Sequence, residues 1–287
     1  MPPRSNPTLR QRRIGTELRR MRERAGYGGS ELGRAVSMTP AQVTQMESGR
    51  IGISIDRLRT IAAACNCANP SLIDALTEMI SERGRGWWEE YREVLTTDFL
   101  EVAEIESYAT ALSTCTTTYI PGLLQTGAYA SAVFTRVYPP LSRSEIDVRT
   151  AFRIQRQQIV RSGKTPLQAF IHGAALRMQF GGPKVLVEQL DALIDDSTHP
   201  GISIRVVPFA VATFPGASEN LTFAKAPVPD LDTVQMDVAQ GVLFFDSPAD
   251  LAMHRTIFDR MDTLAFSNEK SRDLIRSVKK EAEDSYA

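Results

Sequence analysis

Residues 18–62 read LRRMRERAGYGGSELGRAVSMTPAQVTQMESGRIGISIDRLRTIA, and the punctuation of this stretch predicts several short helices in close succession. Just upstream and into it, Ile14, Leu18 and Met21 recur at helical spacing, with Arg10, Arg12, Arg13, Arg19, Arg20, Arg22 and Arg24 assigned to the other faces. Gly26 stops this arginine-coated helix. A short helix with Leu32 and Val36 turned inward follows, then a turn at Ser37-Met38. Thr39 is an N-cap before Pro40 at the first helical position. The helix from Pro40 to Ser48 carries Val43 and Met46 inward, leaves Ala41, Gln42, Thr44 and Gln45 on its outer face, and stops at Gly49. Ser54 caps one more, with Leu58, Ile61 and Ala62 apolar at i, i+3 and i+4. A compact bundle whose third helix is polar outside has helix-turn-helix geometry. Such a helix enters the major groove, where Gln and Thr can hydrogen-bond base edges while arginines elsewhere attract phosphates.

The charge agrees with this reading once it is divided along the chain. Over 287 residues the formal net charge is −1. Residues 1–64 hold 12 Lys+Arg and 5 Asp+Glu, a balance of +7, which leaves −8 for the rest. Such asymmetry points to a nucleic-acid contact at the basic end. The length allows about two domains at ~100–200 residues each. No apolar run reaches the ~18–20 residues of a membrane span, and Pro2, Pro3, Arg4 and Ser5 stand where a secretory signal would be apolar. A cytoplasmic, nucleoid-associated protein without a membrane partner is expected. Cys65, Cys67 and Cys115 are too few for a disulfide framework, and Cys65-x-Cys67 has no second pair to complete a zinc site, so they read as reduced thiols.

The quoted stretch resembles the Cro/repressor-like (XRE) helix-turn-helix proteins. The resemblance implies that Pro40, Ala41 and Gln45 read bases, that Gln42 and Thr44 lie beside phosphates or a groove wall, and that Arg50 grips the backbone. Thr39 joins them at the helix start. Glu47 followed by Gly49 matches the family's buried acidic residue and turn glycine. The family often has Gln where Gly29 stands here, so a phosphate contact there falls to a backbone N–H or Ser30. Pro40 and Ala41 can make only apolar contacts, such as with a thymine methyl, so part of the readout is expected to be indirect.

Beyond residue 64 the organisation changes. Residues 1–9 read as a flexible N-terminus, 10–68 as the DNA-binding domain, 69–110 as a helical connector and 111–287 as an α+β regulatory and partner-binding domain. The acidic stretch Asp74–Glu106 reads first as a solvated helix face and second as a surface that repels DNA. Phe99, Val102, Ile105, Ala109 and Leu112 predict a long helix that ends before a β-rich Thr116–Ile120. A capping box of Ser142 and Glu145 opens a basic helix through Arg161, with Arg149, Arg153, Arg156 and Arg161 at near-helical spacing. Two readings of this helix stand side by side: a face for an anion or acidic partner, or internal salt bridges to the acidic stretch. Leu167–His172, Ile202–Val207, Leu221–Ala224, Thr233–Met236 and Val242–Phe245 read as strands, with helices at Val185–Ile194, Ala249–Leu264 and Glu269–Glu283. The absence of regular βαβ alternation argues against a doubly wound nucleotide-binding fold.

The segments GWWEEYREVL, YIPGLLQTGAYA, RIQRQQIV, AALRMQFGG, VLVEQLDALI and RVVPF, in that order, are similar to the C-terminal domain of WhiJ-like regulators of filamentous actinobacteria, also described as toxin–antitoxin-like. The resemblance implies control of transcription together with a small partner protein encoded nearby. Gly173 stands where many relatives are acidic before Ala-Ala-Leu, and Met236-Asp237-Val238 replaces a Tyr-x-Glu.

No catalytic constellation accompanies these features. His172, His199 and His254 are far apart in sequence and there is no Gly-x-Ser-x-Gly elbow. Ser162-Gly163-Lys164-Thr165 echoes a phosphate-binding loop, but Gln158 stands where its first Gly belongs. No metal-site motif occurs, and no cofactor is expected. The expected function is a non-enzymatic, dimeric, sequence-specific regulator of double-stranded DNA, controlled by a small partner protein or ligand. The alternative is an antitoxin-like interaction module whose DNA binding serves autoregulation.

Overall fold

A computed structural model describes residues 6–82, 86–211, 213–215, 220–238 and 240–284. The expected flexible N-terminus thus falls largely outside the described residues. The chain divides into two compact units: residues up to Glu89 with Pro227–Leu231, and Glu90–Ala226 with Asp232 onward.

The first unit is helical: α1 (Leu9–Arg24), α2 (Gly29–Ala35), α3 (Pro40–Glu47), α4 (Ile55–Ala64) and α5 (Pro70–Ser81). Side-chain caps set its boundaries, at the expected Thr39 and Ser54 and also at Thr8. Thr8, Thr39 and Ser54 accept hydrogen bonds from the first turns of α1, α3 and α4. Leu18, Leu32, Val43, Met46, Leu58, Ile61, Leu72 and Leu76 form its buried core. The helix 70–81, read as connector, packs here beside α1 and α4. Gly15 lets α1 and α3 pass at backbone distance, because a Cβ there would lie 2.4 Å from the Glu47 carbonyl oxygen. Gly49, at φ +72°, would likewise place a Cβ 2.7 Å from the Gln11 oxygen.

The arginine coat of α1 needs correction. Arg13 is only 6% exposed, pairs with Glu17 at 3.1 Å and donates to the Asp230 carbonyl. Arg20 shares Glu17 at 2.5 Å, Arg19 pairs with Glu23, and Arg10 reaches Glu82 at 2.7 Å and the Met79 carbonyl at 2.9 Å. Carboxylates and helix-terminal carbonyls brought close by folding have claimed these cations.

The second unit contains α6 (Thr97–Tyr108), β1 (Ala111–Thr116), α7 (Gly127–Phe134), α8 (Arg143–Arg156), α9 (Gln158–Arg161), β2 (Leu167–His172), α10 (Pro183–Asp196), β3 (Ile202–Val207), β4 (Asn220–Lys225), β5 (Thr233–Val238), β6 (Gly241–Phe245), α11 (Pro248–Leu264) and α12 (Asn268–Asp284). Six strands form one mixed sheet in the order β3-β2-β1-β4-β5-β6, so the unit is α+β as expected. The strands β1, β2 and β3 are parallel, with Leu112 opposite Leu167 and Leu167 opposite Ile202; β4, β5 and β6 add antiparallel. One face, carrying Leu112, Ala169, Ile171, Ile204 and Val206, packs against α10 and α12. The other, carrying Cys115, Phe170, Phe223 and Val234, packs against α11 through Leu251, Phe258 and Met261. The three parallel strands are joined by helices, so one half of the sheet does have the alternation that the sequence reading excluded.

That error traces to β1. The predicted long helix ends at Tyr108, and Ala111–Thr116 is a strand, whereas the β-rich Thr117–Ile120 is not. Nearly every residue of β1 is buried, so it lacks the period-two signal of a half-exposed strand. The predicted helix through Arg161 also breaks, at Gln157 between α8 and α9.

The turn Pro121–Thr126 is buried and held by three glutamine side chains. Gln125 Nε2 donates to the Ile120 oxygen at 2.7 Å, Gln157 Nε2 to the Gln125 and Gly122 oxygens at 2.7 and 3.1 Å, and Gln189 Nε2 to the Leu124 oxygen at 2.8 Å. Gln189 Oε1 accepts from the Thr126 N–H at 2.7 Å. Buried irregular backbone needs such partners.

The α1–α3 crossing gives a direct test. Gly15→Ala must push the two helices apart and should destabilise the first unit by about 1–3 kcal/mol, the usual range for overpacking, read as a lowered midpoint in urea unfolding.

Candidate nucleic-acid interface

The inner side of α3 is fully committed. Val43 and Met46 are each 1% exposed, and Glu47 receives both arms of Arg22, Nε to Oε1 at 2.6 Å and Nη2 to Oε2 at 2.9 Å. That bond raises the Arg22 pKa above its ordinary value. Glu47 therefore anchors the helix, as its sequence position implied.

The outer side faces solvent. Thr39, Pro40, Ala41, Gln42 and Thr44 are exposed, Gln45 is half-exposed and Arg50 is exposed just past the helix end. They fall on one short helix and its flanks, but their hydrogen-bonding freedom differs. The Gln42 N–H donates to Thr39 Oγ1 at 3.2 Å and the Thr39 N–H to Gln42 Oε1 at 2.8 Å, a capping box. In this structure Gln42 is thus held at the helix start, with only its amide N–H groups left to donate outward. Thr44 Oγ1 donates to the Pro40 carbonyl at 3.1 Å, leaving its oxygen to accept. Among the described residues neither the Gln45 side chain nor the Arg50 guanidinium has a hydrogen-bond or ion-pair partner. Gln45 is the one outer-face amide with donor and acceptor both available.

Ser30 is exposed in the first turn of α2. Beside it the Gly28 N–H donates to Glu31 Oε2 at 2.6 Å. That carboxylate opposes a phosphate at this helix start. Arg24, Arg34 and Arg59 are exposed and, like Arg50, have no carboxylate partner among the described residues. The sequence reading left phosphate attraction to arginines elsewhere on the module and did not single out Arg34 and Arg59. A scan for arginines outside the dense charge run would have found them.

Elsewhere, Cys65 and Cys115 are buried thiols and Cys67 is partly buried. His172 sits between the rings of Phe209 and Phe214, His254 Nδ1 lies 2.7 Å from the Asp250 oxygen, and His199 is exposed. No helix among the described residues is long and apolar enough to cross a membrane.

Two family descriptions match the chain. A helix-turn-helix domain covers residues 13–76, and a domain of unknown function (DUF5753) covers residues 99–277. No curated protein and no solved structure is matched.

The four unpaired arginines bound the electrostatics. Each phosphate neutralised contributes about −0.9 to the slope of log K against log salt. DNA binding by one head should therefore show a slope on the order of −3 to −4 in a salt titration, and not the much steeper value that a count of all its arginines would give.

Proposed function

The chain belongs to the family defined by the domain of unknown function DUF5753, with a helix-turn-helix domain ahead of it, and from that premise we propose a sequence-specific, dimeric transcriptional regulator whose second unit receives the controlling signal. The observation that carries the reading is the outer face of α3: Gln45 with a free amide, flanked by exposed Ala41 and Thr44 and by the unpaired Arg50. One such helix reads only a half-site, so a two-fold pair of chains doubles the contact. The candidate DNA-contacting set is Ser30, Thr39, Pro40, Ala41, Gln42, Thr44, Gln45 and Arg50, with Gln45 and Arg50 the principal members.

The second unit is assigned control and pairing, with a small partner protein or ligand as the signal in the manner of the WhiJ-like regulators it resembles. Its histidines support a non-catalytic role, since His172 and His254 are each engaged locally.

Purified protein should shift DNA from upstream of its own operon. Gln45→Ala with Arg50→Ala should abolish that shift while the thermal midpoint hardly moves, because neither side chain contributes to the core. Retention of specific binding by the double variant would remove α3 from the recognition role.

A further inference from the structure

The basic helix α8 carries two kinds of arginine. Arg156 is neutralised by Glu106, with Nη2 and Nε at 2.5 and 2.8 Å from its two oxygens. Arg143 pairs with Asp147, and Arg161 on α9 lies 3.8 Å from Asp196. Arg149 and Arg153, one turn apart on α8, have no carboxylate partner among the described residues. Each instead covers an aromatic ring, Arg149 over Phe99 at 5.2 Å and Arg153 over Phe134 at 4.2 Å.

Arg153 is the more exacting case. Its Nη1 donates to Gln125 Oε1 at 2.7 Å, while its Nε is buried with no hydrogen-bond partner. The Nε–Nη2 edge, the one suited to bidentate pairing, is left over. Beside it stands Gly122: a Cβ there would meet only Arg153 atoms within 4 Å, the nearest being Nε at 3.7 Å. A methyl group at this position would lie in ordinary van der Waals contact with the unused donor edge. Asp237 makes no ion pair with Arg153, and its Oδ1 accepts from Gln235 Nε2 at 2.9 Å. Burial, with Arg156 close by, pushes the Arg153 pKa down to about 10 against the pull of Asp237 and Glu106, so the guanidinium stays charged near neutrality without direct contact to a carboxylate. An unpaired cation at such depth is costly unless an anion completes it.

We infer that the second unit holds an anion site built on the Nε–Nη2 edge of Arg153, with Arg149 beside it and Gly122 leaving it open, for the carboxylate or phosphate group of a small ligand. The inference deepens the ligand-control reading above and rests on it only for the consequence at DNA. It also divides the two readings of the basic helix: Arg156 and Arg161 make internal salt bridges, and Arg149 and Arg153 form the anion-facing part.

The test is calorimetric titration of the full-length protein with inorganic phosphate and, separately, with succinate; whichever binds identifies the acid group. Arg153→Met should weaken that binding at least about tenfold, the scale of one lost charge-assisted pair. Its thermal midpoint without probe should fall modestly, because the buried Gln125 Oε1 loses its donor, so binding is compared at a temperature where both proteins are folded. Gly122→Ala keeps the guanidinium and should also weaken binding, by filling the opening. The site is overturned if neither probe binds, or if both variants bind like the parent, which would place the anion on the basic head. Mobility shifts with and without the probe are scored separately: a probe that needs Arg153 yet leaves the shift unchanged overturns ligand control and leaves the site standing.

Discussion

The proposed recognition helix α3 depends on one close pass between backbones. At Gly15 nothing separates α1 from the end of α3, since even a methyl group would stand 2.4 Å from the Glu47 oxygen. This closeness brings Glu47 within reach of both arms of Arg22 and seats Val43 and Met46 in the core. The position of α3 is therefore decided entirely on its inner side. Beyond the Thr39–Gln42 cap its outer residues take no part in that core, which is the physical condition for a face that can be specialised for a partner.

The second unit solves a different problem, that of burying an irregular turn. Gln125, Gln157 and Gln189 satisfy the backbone of Pro121–Thr126, and a long neutral amide can do this without bringing a charge into the interior. Gln125 also accepts from Arg153. The turn and the uncompensated guanidinium are thus parts of one polar network, and a change in the charge beside Arg153 acts on a segment that the core is built around.

Local rules made the first unit readable. Capping residues, the proline at the start of α3 and the stop at Gly49 depend on neighbours a few positions away, and they placed its helices and outer face. The Thr39–Gln42 box obeys the same local rule, yet the reading set Gln42 beside DNA because family position outweighed the cap. What sequence could not show was long-range. Arg22 finds Glu47 across 25 residues and Arg156 finds Glu106 across 50, so a run of arginines that looked uniformly solvated is sorted by the fold into paired and unpaired members. The acidic stretch divides in the same way: Asp74, Glu78, Glu82, Glu90 and Glu93 are exposed as read, while Glu101, Glu104 and Glu106 are buried. The strand β1 was hidden by burial on both sides, which erases alternation.

The charge division along the chain acquires a different meaning once pairing is taken into account. The formal +7 of residues 1–64 is unevenly placed, because Arg10, Arg13, Arg19, Arg20 and Arg22 are each bound to a carboxylate, and all but Arg10 to one already counted in that balance. Of the other arginines, Arg12 and Arg57 donate to the Pro7 and Val36 carbonyls, and Arg24, Arg34, Arg50 and Arg59 are exposed without a carboxylate partner among the described residues. Phosphate attraction therefore falls mainly to those exposed arginines, and base and shape contacts add to it. In the proposed regulator a coupling of about 1–3 kcal/mol from the second unit would change DNA affinity about 5–150-fold.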